Sequence, residues 1–324
     1  GLGDVYKRQI DGIMDAKVDV TDDSREQLLA EAYCLRAYTH FELLNLYAKQ
    51  YVKETASSDK GVPVVLVVDI DQAFPRATVE EVYTQILKDI EEAGKYMQID
   101  EQPASTRYRF SKKSLKSLEA RVRLYRGEWE LAQAVAEDIL PQCTLIDMVA
   151  DNEAKPWRYD SQEAILSLEQ VSNVDIVDDM TMLWDVAGKY SMEQENDIYL
   201  DTRVNRYFRV SYSGYIPNKG MELGDKVTFR SSEIYLIAAE AAARQTGKLD
   251  VAKGYLLSLM KNRLIADYYS QKEAEIEGMD QEQLINEIMD ERARELVFEG
   301  HRWYDLRRTT RPKIVKTYYN EEFE

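Results

Sequence analysis

Glu291-Arg292-Ala293-Arg294-Glu295-Leu296-Val297-Phe298-Glu299-Gly300-His301-Arg302-Trp303-Tyr304-Asp305-Leu306-Arg307-Arg308 carries more structural information than any other stretch of the chain. Just before it, Asp280 and Gln283 have the capping-box spacing, in which each side chain satisfies an orphan amide at a helix start. Ile285, Met289, Arg292 and Leu296 then follow at steps of four, three and four, so a helix is expected with Arg292 on its apolar seam. A cation in that position needs a partner. Glu295 stands at i+3, Glu291 and Arg294 share that spacing, and Glu299, Arg302 and Asp305 extend the charges one turn further. The spacing predicts a structural ion-pair motif of Arg292, Glu295, Glu299, Arg302 and Asp305. Trp303, inside it, is expected to pack.

Upstream, Ser24 and Gln27 have the same capping spacing and open a helix to about Ala48. Its Leu28, Leu29, Tyr33, Phe41 and Leu44 surround most of the circumference, as in a helix at the middle of a bundle. Thr78 and Glu81 precede an amphipathic period of Val79, Val82, Ile86, Ile90 and Ala93. Residues 49–77 between the two helices, with Gly61-Val62-Pro63 and a short β-branched run, read as a loop with an extended segment. Gly127 followed by Trp129 and Ala132, and Gly247 followed by Leu249 and Ala252, look like two copies of one helix-turn-helix unit. Ala120, Ala239 and Ala242 let the paired helices approach and each glycine closes a turn, so the unit resembles a tetratricopeptide-type hairpin. Trp129, at such a turn, is also expected to pack. From 144 to 229 the helical period fades and aromatics gather among turn formers. Alternation at Val204, Arg206, Phe208 and Val210 predicts a strand, as does Ile165 to Glu169. The expected fold is mainly α: tetratricopeptide-like helical hairpins with an irregular, partly β loop region. One domain is expected over residues 1–324, with a helical scaffold at 22–143 and 230–310 and an irregular subregion at 144–229.

The chain has 59 Asp plus Glu against 42 Lys plus Arg, a formal charge of −17 that repels phosphate backbones, so a nucleic-acid partner is not expected. The longest strongly apolar run, Val62 to Val68, is far short of the roughly 20 residues a membrane-spanning helix needs. Cys34 and Cys143 lie in apolar helical surroundings and read as buried thiols. With only His40 and His301 present, a multi-histidine metal site is excluded, and no cofactor or metal is expected. The acidic groups at Asp19, Asp22 and Asp23 and at Asp69 and Asp71 lack the glycine and closing Glu of a calcium loop.

The stretch from Glu291 to Arg308 resembles the SusD/RagB group of outer-membrane nutrient-binding lipoproteins of Bacteroidetes. The resemblance takes in Glu31-Ala32-Tyr33-Cys34-Leu35-Arg36-Ala37-Tyr38 with Phe41-Glu42-Leu43, then Gly61-Val62-Pro63, and Arg230-Ser231-Ser232-Glu233-Ile234-Tyr235-Leu236-Ile237-Ala238-Ala239-Glu240-Ala241. These segments bracket nearly the whole chain. Where members usually carry Leu-Asn-x-x-Arg-x-Arg after the second repeat, this chain has Leu257-Ser258-Leu259-Met260-Lys261-Asn262-Arg263, which keeps one Arg. The start lacks the family's signal peptide and lipid-bearing cysteine, and the chain stops soon after Arg308 without the usual Pro-rich ending, so a fragment or a short member is expected. The resemblance implies a SusD-like α superhelix on the surface of the outer membrane, anchored by lipid. It also implies a non-catalytic protein that binds oligosaccharide and delivers it to a SusC-like TonB-dependent transporter.

Sugar recognition needs flat aromatic faces against the C–H side of a pyranose and polar groups at its edge, all exposed in a concave place. Trp157 and Trp184 lie in the irregular region beside Arg158, Tyr159, Asp185 and Tyr190, so Trp157, Tyr159, Trp184 and Tyr190 are the ligand-binding candidates. Large aromatics also plug loops, and a packing role stays open for each. Tyr199, Tyr207, Tyr212 and Tyr215 are weaker candidates, because an alternating strand buries half its residues. His301 beside Glu299 and Asp305 reads as part of a structural clamp and not as an acid/base site. The alternative function is a helical-repeat adaptor that binds peptide or protein in its groove, lined by asparagines and charged groups where a glycan site would show exposed aromatics. A glycosidase, which would need paired carboxylates across an open cleft, ranks last.

Overall fold

Arg25–Tyr47 forms the first long helix, α1, and Ser24 caps it by accepting the Gln27 amide at 3.0 Å. The reciprocal half of the expected capping box is absent: the Gln27 side-chain oxygen accepts from the amides of Gln98 (2.9 Å) and Ile99 (3.1 Å) and ties the start of α1 to the chain beyond the second helix. That second helix, α2 (Val79–Tyr96), carries the full Thr78–Glu81 box. The structure is a computed structural model that describes residues 7–8, 10–17, 24–67, 71, 73–168, 184–211, 214–313, 316–318 and 321–323.

Two helical hairpins stand where the glycines place them. α3 (Lys112–Arg126) turns at Gly127, φ 72°, into α4 (Trp129–Ile139). α5 (Ser231–Ala243) turns at Gly247, φ 76°, into α6 (Leu249–Met260). Both turns use the left-handed region that glycine enters without steric cost. α5 is the centre of the stack and packs on α4, α6 and α8 (Gln281–Glu295). Its Ile234, Leu236 and Ile237 are fully buried, each burial stabilising by roughly 2 kcal/mol. Between α6 and α8 lies α7 (Ala266–Glu277), which buries only Ile276, and α9 (His301–Arg308) closes the helical part. The helix expected through Leu296 stops at Glu295, and Phe298 (φ 62°) and Gly300 (φ 82°) beyond it both sit in the left-handed region.

The described residues between 144 and 229 are irregular, with one-turn helices and short antiparallel pairs. Ala164–Leu166 pairs with Phe229–Arg230, and Phe208–Ser211 pairs with Gly214–Pro217. The strand expected from Val204 begins only at Phe208, since Val204–Tyr207 makes one helical turn. The turn follows from Asp201, whose carbonyl accepts the Val204 amide and whose carboxylate accepts the Arg203 amide and guanidinium. Both thiols are free, Cys34 being fully buried. Among the described residues no helix is long and apolar enough to cross a membrane.

Candidate functional site

Glu295, on the last turn of α8, is fully buried and gathers three arginines from separate segments: Arg203 at 3.0 Å, Arg230 at 2.6 Å and Arg263 at 3.0 Å. Arg203 also reaches Asp201 (2.8 Å) and Glu291 (2.5 Å), Arg263 reaches Glu163 (2.7 Å), and Arg230 reaches Glu299 (2.8 Å). Burial acts to raise the Glu295 pKa, but Arg263, Arg230 and Arg203 outweigh it and hold the carboxyl well below the usual range. Four of the five residues expected in an ion-pair motif, Arg292, Glu295, Glu299 and Asp305, make ion pairs, with partners other than the spacing suggests. Arg292 pairs with Asp305 at 3.0 Å and not with Glu295. Arg302 joins no ion pair among the described residues and its Nε has no hydrogen-bond partner. Local i+3 pairs in this stretch are Glu291 with Arg294 (2.7 Å) and Asp305 with Arg308 (2.7 Å), and the helix break after Glu295 separates Glu299 and Asp305 from α8. The Arg263 retained from the family pattern proves to be one of the three cations.

The aromatic candidates fall in different environments. Trp157 is 3% exposed and Tyr190 5%, both within a satellite core with Tyr207 and Phe208. Trp157 meets Tyr207 edge to face at 5.1 Å, and the Tyr190 hydroxyl donates to the Arg294 carbonyl at 2.6 Å. Neither presents a ring face to a ligand; they plug the irregular region onto α8. Tyr159 is half-buried, with the Lys226 ammonium 5.8 Å from its ring centre. The Trp184 side chain lies outside the described residues, as does Tyr212. Trp129 packs as expected, between Gly127 and the Arg244 guanidinium. Trp303 is 57% exposed: Tyr304 and Asp305 take the inward face of short α9 and leave the indole outside.

Two open grooves bear on ligand binding. One, of about 700 Å³, is polar and follows residues 145–162, with Asp147, Asp151, Lys155, Arg158 and Asp160 on its walls. Arg158 is held there by Asp160 (3.0 Å) and Glu222 (2.8 Å), its guanidinium lying on Gly224, where a Cβ would come within 2.8 Å. Hydrogen bonding to Asp160 raises the Arg158 pKa further, so the charge is permanent.

The second groove, of about 580 Å³, is apolar and lies between the end of α1 and the segment after it, lined by Leu43, Tyr47, Pro63, Val65, Phe74 and Arg76. Tyr47 and Phe74, 70% and 52% exposed, stand over it. Its floor is fixed by backbone pairing: the Gly61 amide donates to Ala77 O at 2.7 Å, the Ala77 amide to Val62 O at 3.2 Å, and Arg76 Nε to Gly61 O at 2.7 Å. Periodicity concealed this pair, since Tyr47 reads as one more aromatic of a helix buried all round, and Phe74 lies in a loop. The available signal was position: Tyr47 is the last residue of its helix, where neighbours fall away. Among the described residues no group of three or more His, Cys, Asp or Glu is placed to hold a metal ion. The acidic positions Asp19, Asp22, Asp23 and Asp69 lie outside the described residues.

Stacked helical hairpins that carry an irregular, groove-bearing region on buried ion pairs define a helical-repeat scaffold protein. Residues 143–323 match the family described as SusD family, and residues 10–124 match one described as starch-binding associating with outer membrane. The chain belongs to the SusD family. SusD-like protein P38 of Formosa agariphila is 24% identical over 88% of this chain and 67% of its own length, so the chain spans about two thirds of that relative. A SusD-like carbohydrate binding protein from Bacteroides vulgatus superposes with TM-score 0.72 at 19% identity, covering 98% of this chain and 72% of that one. A laminarin binding SusD-like protein superposes with TM-score 0.62 at 19% identity, covering 94% and 76%.

Proposed function

We propose that the protein binds oligosaccharide at the surface of the outer membrane and passes it, unreacted, to a TonB-dependent transporter. The observation that carries this reading is the pair of exposed aromatic rings, Tyr47 and Phe74, over a groove of about 580 Å³. Two such faces cover the C–H sides of neighbouring sugar rings, and water leaves apolar surface on both partners. Support comes from the family and from structural relatives whose names record carbohydrate and laminarin binding. The polar groove at 145–162, with Arg158, Asp160 and nearby Tyr159, is a secondary contact surface in this proposal, and Trp184, whose side chain lies outside the described residues, stays a candidate on its sequence position. Residues 1–324 act as one unit, the irregular subregion being carried on the scaffold by the arginines around Glu295.

Native gels cast with laminarin, starch and other polysaccharides test it. Wild-type retardation by at least one glycan is expected, with the shift reduced in Tyr47→Ala and Phe74→Ala. No retardation by any polysaccharide, or retardation unchanged in both variants, would remove the sugar reading at this groove. Co-purification of a TonB-dependent barrel with the tagged full-length protein tests the delivery step separately.

A further inference from the structure

Another cavity, of about 260 Å³, lies apart from both grooves, between α1, α3, α9 and the chain at Val227 and Thr228. Some of its polar side chains have no protein hydrogen-bond partner. Asn45, 7% exposed, is among its lining residues, and among the described residues the side chains of Asn45, Glu42, Tyr38 and Tyr304 make no hydrogen bond. Asn45 is the buried one of the four, while Glu42, Tyr38 and Tyr304 are half-buried at its rim, so all four can bond a molecule that enters the void.

The charges around the void decide what kind of ligand that is. Arg121 is spent on Glu233, at 2.7 and 2.6 Å, and on the Thr228 carbonyl at 2.6 Å. Glu299 is neutralised by Arg230 and Lys219. Burial pushes His301 down to about 4, so its imidazole is neutral near pH 7. Glu42 is the lining charge without a counter-ion, and burial raises its carboxyl against the pull of Arg121. Tyr38, Phe41, Tyr125 and Tyr304 line it as well, Tyr125 with the Arg308 guanidinium 5.2 Å from its ring centre, and aromatic rings attract cations. A metal ion would need further anionic or imidazole ligands, and no group of three exists among the described residues. We propose that this cavity binds a small organic ammonium ion, with Glu42 as its counter-ion and the tyrosines as its cage.

Isothermal titration calorimetry on the whole chain tests this, using choline chloride, ethylammonium chloride, potassium chloride and dimethylbutanol, the neutral carbon isostere of choline. Saturable binding of at least one ammonium salt is expected, with dimethylbutanol and potassium silent. Glu42→Gln should weaken the ammonium by at least about tenfold, since it removes the only unpaired charge. Tyr304→Leu should weaken it several-fold by removing one cage wall. Tyr304→Leu keeps the test open if Glu42→Gln fails to fold by circular dichroism. Absence of binding by both ammonium salts, equal binding of dimethylbutanol, competition by potassium, or undiminished binding in both variants would each overturn the proposal. Tyr47→Ala leaves this binding intact, so failure here is distinguishable from failure of the glycan reading.

Discussion

Trp157 and Trp303 exchange the roles their sequence positions suggest. Trp157 sits among turn formers, yet it is 3% exposed and packed against Tyr207, with the Lys219 ammonium 5.6 Å from its ring. Trp303 sits in the most strongly patterned part of the chain, yet it is 57% exposed. Truncating a buried aromatic costs roughly 3–5 kcal/mol, because a cavity is left behind. Exposed positions away from any network move stability by about 0.5 kcal/mol or less. Urea unfolding should therefore show a large loss for Trp157→Ala and almost none for Trp303→Ala. Equal losses would mean that the indole of Trp303 is covered in solution. The sequence pattern misleads here for a physical reason: alternation and helical period report which face of an element is inward, but a one-turn loop or an eight-residue helix offers too few turns to establish that face.

Among the elements, two glycines separate the constraints on turn and loop. Gly247 is left-handed, and a Cβ added there would meet nothing within 4 Å, so Gly247→Ala should cost only backbone strain, about 1 kcal/mol. Gly61 lies against Thr78, where a Cβ would come within 2.9 Å of the carbonyl oxygen, so Gly61→Ala must push the 60–63 segment away from α2. Thermal melts should rank Gly61→Ala as the more destabilised, and it alone should lose glycan retardation, because the same segment floors the aromatic groove. Most helices were legible from the chain. Ser24, Thr78 and Asp280 mark starts, Gly127 and Gly247 mark turns, and each rests on local backbone chemistry that a sequence displays directly. α7 was not legible, since a helix that buries Ile276 alone shows no apolar stripe. The candidate site was less legible than the scaffold, because exposure of Tyr47 and Phe74 depends on which neighbours the chain brings back to them.

For the molecule as a whole, the question is what holds an irregular region of this length to a helical stack. The answer is electrostatic as well as apolar. Arg203 from the irregular region, Arg230 at the start of α5 and Arg263 beyond α6 converge on Glu295 of α8, so one carboxylate joins segments far apart in the chain. Glu299 adds Arg230 and Lys219, and although its burial works the other way, these cations hold its carboxyl near 2 against an ordinary 4.5. A depressed carboxyl pKa means that the unfolded chain binds the proton more readily. The stabilisation is complete above about 4.5 and is lost as pH falls towards 2. For Glu299 that difference is worth roughly 3 kcal/mol. His301, depressed by burial from 6.5 to about 4, has the same sign and extends the loss upward, beginning below 6.5. Acid should therefore loosen this seat early. Glu295→Gln reproduces its protonated state at neutral pH and leaves three buried guanidiniums short of an anion, a change that costs about 3–5 kcal/mol. Near-ultraviolet circular dichroism reports the packed Trp157, Tyr190 and Tyr207, while the far-ultraviolet signal reports the helices. In Glu295→Gln at pH 7, and in wild type between pH 4 and 2, the aromatic signal should fall while most of the helical signal persists. Simultaneous loss of both signals would show that the irregular region and the stack unfold as one cooperative body, whereas an unchanged aromatic signal would show that apolar packing alone suffices to hold them together.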